Sequence, residues 1–228
     1  MAGPTHPLHC RPACYAAFQA ALPGVQAPGG LLRAVASIAL HEHPEADLDL
    51  VDARVEALAQ QVATVAAGRS AKARVSLLHQ VLFEEHGFRG DEQTFSNPSN
   101  SYMNAILATR RGLPITLSLL YVEVARRVGI AAHGLDAPAH FLVEVEQPGG
   151  LLVVDPFFAG QVVTRAEVRA RMERVLGHPL PAGAAPARAT PAGWLHRILR
   201  NLESAFGRAQ RADDHAAMSE LRSLLPAP

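Results

Sequence analysis

The stretch from Leu113 to Val128 constrains this chain more than any other. Ile115, Leu117, Leu119, Leu120, Val122, Val124 and Val128 leave almost no polar face until Glu123, Arg126 and Arg127. A helix that is apolar nearly all round is a buried helix, so this one is expected at the centre of the fold. Pro114 suits its first helical position, where a missing N–H costs nothing. Gly129 stands where the helix must end.

The residues N-terminal to this helix read as helical. Met1 to His9 reads as a tail. Helices are expected over Pro12–Leu22, ended by Pro23-Gly24, and over Leu31–His41. Asp47 or Asp49 can cap a third, carrying Leu50, Val51, Val55, Leu58 and Val62 at helical spacing. Ser70 can cap a fourth, through Val75, Leu78, Leu82 and Phe83, with Gly87 as a left-handed stop. Phe88 to Ser99 reads as loop, and a further helix as running from about Asn100 to Arg110.

C-terminal to Gly129 the pattern changes to alternation. Ile130–Leu135 is a strand candidate. Phe141, Val143 and Val145 alternate with Leu142, Glu144 and Glu146, and Leu151–Asp155 returns after the turn Gln147-Pro148-Gly149-Gly150. This is a hairpin pattern. Thr164-Arg-Ala-Glu167 is a capping box that opens a helix to about Leu176. The Pro/Ala/Gly-rich stretch 177–193 reads as a linker, and Trp194 to Leu225 as two short helices. Trp194, Leu195, Ile198, Leu199, Leu202 and Phe206 form a stripe there, for packing or for docking another protein.

The hairpin makes one chemical suggestion. With Pro148-Gly149 as its loop, Glu146 opposes Leu151, and His140, Leu142 and Asp155 share a face. His140 and Asp155 are then diagonal neighbours, roughly 7–8 Å apart before their side chains lean together. A loop of three residues would put them on opposite faces. An aspartate that orients a histidine is two-thirds of a nucleophilic triad. The third member belongs at a helix N-terminus, where the dipole lowers a thiol pKa, but the helix at Pro114 offers no cysteine there. Ser118, one turn further in, is a candidate hydroxyl.

Composition narrows the partners. Lys+Arg and Asp+Glu both number 21 and aromatics are 5%, which argues against nucleic acid. No apolar run approaches the roughly 20 residues needed to span a bilayer, and Met1–Pro12 lacks the apolar core of a signal peptide. No membrane partner and a cytoplasmic setting are expected. Cys10 and Cys14 are then expected as thiols, since a disulfide between them would close a very short loop. His6, His9, Cys10 and Cys14, and His41 with His43, carry metal-ligand chemistry without a recognised zinc spacing, and the first group reads as tail. Neither a metal nor a cofactor is expected.

Phe83-Glu-Glu-His-Gly-Phe-Arg-Gly90, Asn97-Pro-Ser-Asn-Ser-Tyr102, Arg111-Gly-Leu-Pro-Ile-Thr-Leu-Ser118, Val124-Ala-Arg-Arg-Val-Gly129, Ala139-His-Phe-Leu-Val143 and Asp155-Pro-Phe157 together resemble the SirB-type bacterial family of the transglutaminase-like superfamily. The likeness runs from about Leu31 to Leu176, and Trp194–Leu225 resembles shortened tetratricopeptide-like helices. Ala139 departs from it, because the family usually has glycine before the histidine. The resemblance implies an α+β fold with a papain-like core. It sets His140 and Asp155 at the histidine and aspartate positions of active relatives, and Pro114 at the cysteine.

The expected organisation is a tail and short helix over 1–22, a transglutaminase-like domain over 23–176, a linker over 177–193 and a helical pair over 194–228. The expected role is a binding or regulatory protein that takes a peptide or protein in a degenerate cleft. His140 and Asp155 would be the remnant pair, with Asn100, Ser101, Arg111, Pro114 and Ser118 lining the cleft. For Asn97 and Asn100, turn and cap chemistry is the other reading. The competing role is a hydrolase or acyl transferase that uses Ser118 or water activated by His140.

Overall fold

The computed structural model describes residues 7–227, which form a mixed α+β structure. In chain order the helices are α1 (Pro12–Ala21), α2 (Gly30–Ile38), α3 (Leu48–Ala66), α4 (Ala71–His79), α5 (Met103–Thr109), α6 (Pro114–Arg127), α7 (Arg165–Leu176), α8 (Pro191–Arg208) and α9 (Ala212–Ser223). The strands are β1 (Arg89–Gly90), β2 (Arg111–Gly112), β3 (Ala132–Ala137), β4 (His140–Gln147), β5 (Gly150–Asp155), β6 (Gln161–Val163) and β7 (Ala187–Arg188).

The chain packs as two compact units that do not follow chain order. One gathers the residues up to Arg54, Glu92–Thr109 and the residues from Thr190 onward; the other gathers Val55–Asp91 and Arg110–Ala189. The first unit is helical. The α8 stripe of Trp194, Leu195, Ile198, Leu199, Leu202 and Phe206 is buried and packs against α9 and α2, so it is core and not a docking surface. Arg211, just before α9, closes the hairpin electrostatically. It holds Glu42 and Asp214 at 2.6 Å each and lies 4.5 Å over the Phe206 ring.

The second unit is built round α6. Ile115, Leu117, Leu119, Leu120, Tyr121 and Val124 are all buried, and α6 packs against β3 and β4. The antiparallel sheet has the order β6-β5-β4-β3-β7. Leu135, Leu142 and Val153, with Val163, form an apolar patch that takes Val168 and Met172 of α7. β4 therefore buries both kinds of position, Phe141, Val143 and Val145 as well as Leu142, which is why its alternation with Leu142 breaks. Each large apolar side chain so buried contributes about 1.5–3 kcal/mol.

Several local expectations are corrected. The fourth helix does not run smoothly to Gly87: after α4 it widens into a π turn over Gln80–Glu85. The helix expected from Asn100 begins only at Met103, because Asn97 caps a separate 3-10 turn, Pro98–Ser101, by accepting the Ser99 N–H. The stretch read as a linker supplies β7, which pairs with β3 and is held by Arg188 against Glu144 and Glu146. The tail reading covers Met1–His6, which lie outside the described residues, but Leu8, His9 and Cys10 each donate a backbone N–H to the Glu220 carboxylate.

His79 ends α4 with its Nε2 2.9 Å from the Tyr121 hydroxyl and its ring against Phe83 and Tyr121. Burial pulls its pKa from 6.5 down to about 4, so the ring is neutral at pH 7. Between those values the unfolded chain binds a proton that the folded chain does not. The contribution of His79 is therefore complete above pH 6.5 and is lost as pH falls toward 4. In urea unfolding, the advantage of wild type over His79→Gln should shrink by about 2–3 kcal/mol from pH 7 to pH 4. A constant difference would show that the buried ring accepts a proton freely.

Candidate functional site

The site begins with a register. Gln147 pairs with Gly150 and Glu146 with Leu151, so Pro148-Gly149 is a two-residue loop. This ladder sets His140, the first residue of β4, near Asp155, the last of β5. His140 Nε2 lies 2.8 Å from Asp155 Oδ2. An ionised carboxylate only accepts, so the imidazole donates through Nε2–H.

Asp155 is fully buried. A buried carboxylate needs a compensating charge, and Arg171 supplies it: its Nη1 donates to the same Oδ2 at 2.9 Å. Asp155 Oδ1 is buried and has no hydrogen-bond partner among the described residues. Phe157 meets the His140 ring edge-on at 6.0 Å and Phe158 lies along it at 6.2 Å. Arg171 also sits 6.0 Å from the Phe158 ring. The Phe158 side chain is exposed, so an aromatic surface flanks the histidine.

The backbone around the site is closely fitted. A Cβ on Gly90 would stand 2.3 Å from the Phe157 ring, and one on Gly160, at φ +77°, 2.2 Å from Phe83. Both positions have to be glycine. Ala139, between β3 and β4, has φ +56°, a conformation that costs a residue with a Cβ roughly 1 kcal/mol. Pro138 and Ala139 stand where a type II turn favours proline and then glycine.

The other sequence candidates fall in several places. Pro114 is the first residue of α6, buried and without an N–H. Thr116 Oγ1 takes the Leu113 N–H at 3.1 Å, which leaves this helix end fewer donors for an anion. Ser118 is fully buried, and its Oγ has no partner among the described residues. Arg111 is turned inward onto the Gly87 and Arg110 carbonyl oxygens, at 3.1 and 3.0 Å. Asn100 and Ser101 are buried in the other unit. There Asn100 donates to the Thr94 carbonyl at 2.7 Å and lies inside the 3-10 turn instead of capping a helix.

Sequence reasoning missed Arg171 and Phe158, and it had Phe157 only as part of the Asp155-Pro-Phe157 motif. Arg171 had a signal: Val168, Arg171 and Met172 follow i, i+3, i+4 spacing on one face of α7, and a cation on a face that is otherwise apolar needs a buried anion. No group of three or more metal-ligating side chains is assembled among the described residues, and none of their helices is long and apolar enough to cross a membrane.

A family model described as the transglutaminase-like superfamily matches residues 49–200. The chain belongs to the transglutaminase-like superfamily. It is also 34% identical over 194 residues to a UPF0162 protein of Xylella fastidiosa strain 9a5c, covering 80% of this chain and 67% of that one. A UPF0162 protein of Pasteurella multocida is 28% identical over 106 residues, 46% of this chain and 40% of that one. Mouse F-box only protein 21 shares 38% identity over 66 residues, 29% of this chain and 10% of the mouse protein. No solved structure matches.

As a transglutaminase-like protein the chain is notable for where its cysteines lie. Its only cysteines are Cys10 and Cys14, and both lie in the other unit. The His140–Asp155–Arg171 group can orient a polar ligand, and the unit that holds it contains no thiol. Removing Arg171 tests how the buried charge is held. Arg171→Met should cost about 3 kcal/mol in urea unfolding, since it leaves the Asp155 carboxylate one donor and no permanent cation. Adding Asp155→Asn to that variant should cost less than the sum of the two single changes, by about 1–2 kcal/mol. Strict additivity would mean that the two side chains do not share their energy.

Proposed function

We propose that this chain is a non-catalytic, cytoplasmic, SirB-type transglutaminase-like protein. On this reading it binds a peptide or protein segment at the His140–Asp155–Arg171 site, and α8 and α9 are a shortened tetratricopeptide-like appendage. One observation carries the reading: the histidine–aspartate pair lies in a unit that contains no cysteine, with proline at the first position of α6. Without a nucleophile the pair supplies orientation and hydrogen bonding but no acyl intermediate.

The surroundings fit recognition. The exposed Phe158 ring offers an apolar face beside His140, and aromatic anchors next to a polar group are common in peptide-binding surfaces. The buried, unpartnered Asp155 Oδ1 is an acceptor suited to a ligand N–H or an ordered water. The thiols of Cys10 and Cys14 suit a reducing compartment.

Ser118 favours a second reading, hydrolysis or acyl transfer, because a buried hydroxyl without a partner is costly unless it is used. The test is a peptide-array screen with a parallel turnover assay on amide and ester substrates. His140→Ala and Phe158→Ala should each weaken peptide binding about tenfold or more, equivalent to about 1.4 kcal/mol. Ser118→Ala should leave binding unchanged, and no variant should show turnover. Turnover that needs both His140 and Ser118 would overturn the binding reading.

A further inference from the structure

A cavity of about 340 Å³ opens on the α7-covered face of the sheet, away from the His140–Asp155 contact. Its floor is Leu135, Val153 and Val168, three buried residues of the apolar patch that seats α7. Helical spacing separates it from the candidate site. Arg165 and Arg169 line the cavity and share one flank of α7. Arg171 leaves the other flank for Asp155, and Val168 and Met172 lie between the two. On β4 the cavity is reached by Glu144, roughly 13 Å along the strand from His140.

The cavity exists because the segment beside it is tied at both ends and small in the middle. At one end Arg169 donates to the Leu180 carbonyl oxygen and, at 2.9 Å, to that of Pro181. Glu173 accepts the Leu180 N–H there, also at 2.9 Å. At the other end β7 pairs with β3, and Arg188 meets Glu144 and Glu146 at 2.6 and 2.9 Å. Between these ties Gly183, Ala184, Ala185 and Pro186 form one wall. Gly183 turns the chain at φ +79°. None of these four side chains is long enough to fill the space, so the ties hold a hollow open beside the apolar floor.

The charges round the hollow leave one cation unanswered. Glu144 and Glu146 share Arg188, and Arg169 is held by Glu173 at 3.0 Å. The Glu167 carboxylate is turned back onto the Thr164 N–H and hydroxyl, at 2.7 and 2.8 Å. Arg165 is exposed and forms no ion pair among the described residues. A positive charge at the rim above an apolar floor selects a ligand with an anionic head and a hydrocarbon body. We propose that this hollow binds a medium-chain aliphatic carboxylate, with its chain on Leu135, Val153 and Val168 and its head at Arg165. The volume is that of a small-molecule site, and such sites are apolar with a few placed polar groups. A guanidinium offers the paired N–H donors that a carboxylate accepts. This site is separate from the one proposed for peptides, so either can fail without the other.

The test titrates octanoate into the full chain labelled with ¹⁵N and follows the amide signals. Octanoate should bind with a Kd below about 1 mM. The signals of Gly183, Ala184 and Ala185 should move, and those of Asp155 and Phe158 should stay in place. Octylamine, the same chain with a cationic head, should not bind. Arg165→Gln should weaken octanoate about tenfold, the loss of a charge-assisted contact. Ala184→Leu, which adds volume to the wall, should abolish binding. No saturable change in wild type, equal binding of octanoate and octylamine, or changes centred on Asp155 and Phe158 would each overturn the proposal. All three are read on wild type and do not depend on a variant folding.

Discussion

A carboxylate with no exposed surface organises the sheet-containing unit. Asp155 ends β5, and burying its charge costs several kcal/mol unless a cation and hydrogen-bond donors meet it. Arg171 and His140 both do so at the same oxygen. They come from different elements, α7 and β4, so the charge is compensated only when helix, hairpin and strand end are all in place. Each has its own local guarantee. The Thr164 hydroxyl takes the Glu167 N–H and the Glu167 carboxylate takes the Thr164 N–H, which fixes where α7 begins. The Pro148-Gly149 loop fixes the register of β4 on β5. Gly90 makes room for Phe157 against the His140 ring.

These guarantees are local in sequence, which is why this part is legible in the amino acids alone. α6 shows as an apolar helix because its composition leaves no polar face, the hairpin as two alternating runs across Pro-Gly, and α7 as a capping box. The features that escape such a reading depend on distant partners. Arg171 looks like any helix-surface arginine until the buried Asp155 is placed opposite it. The π turn over Gln80–Glu85 has no composition signal, and Asn100 resembles a helix cap until Asn97 is seen taking that role three residues earlier. The alternation of the chain between the two units is invisible for the same reason, since a segment carries no mark of the unit in which it packs.

The two histidine–aspartate pairs separate what such a pair does from what it is next to. In each, a carboxylate oxygen engages the imidazole Nε2 at 2.8–2.9 Å, and in each the carboxylate also binds an arginine, Arg171 in one and Arg211 in the other. The arginine steadies the carboxylate, and the carboxylate holds the imidazole in one orientation. What differs is the neighbour. His140 has Phe157 and Phe158 beside it, an apolar wall that favours recognition. His41, whose carboxylate is Asp214, has the start of α1 beside it, where its Nδ1 accepts the Arg11 N–H at 3.4 Å.

The sequence hides this second arrangement because its parts are far apart: Cys10 and His41 are separated by α1 and α2, and Asp214 lies on the last helix. The superfamily resemblance draws attention to one histidine and one aspartate and passes over the other pair. Cys10 would be an ordinary thiol in a loose tail. Three backbone N–H groups fixed on Glu220 hold it instead at the start of α1, next to the Arg11 N–H that His41 accepts. The tether fixes the start of α1 on α9, and the His41–Asp214 contact joins the turn after α2 to the same helix.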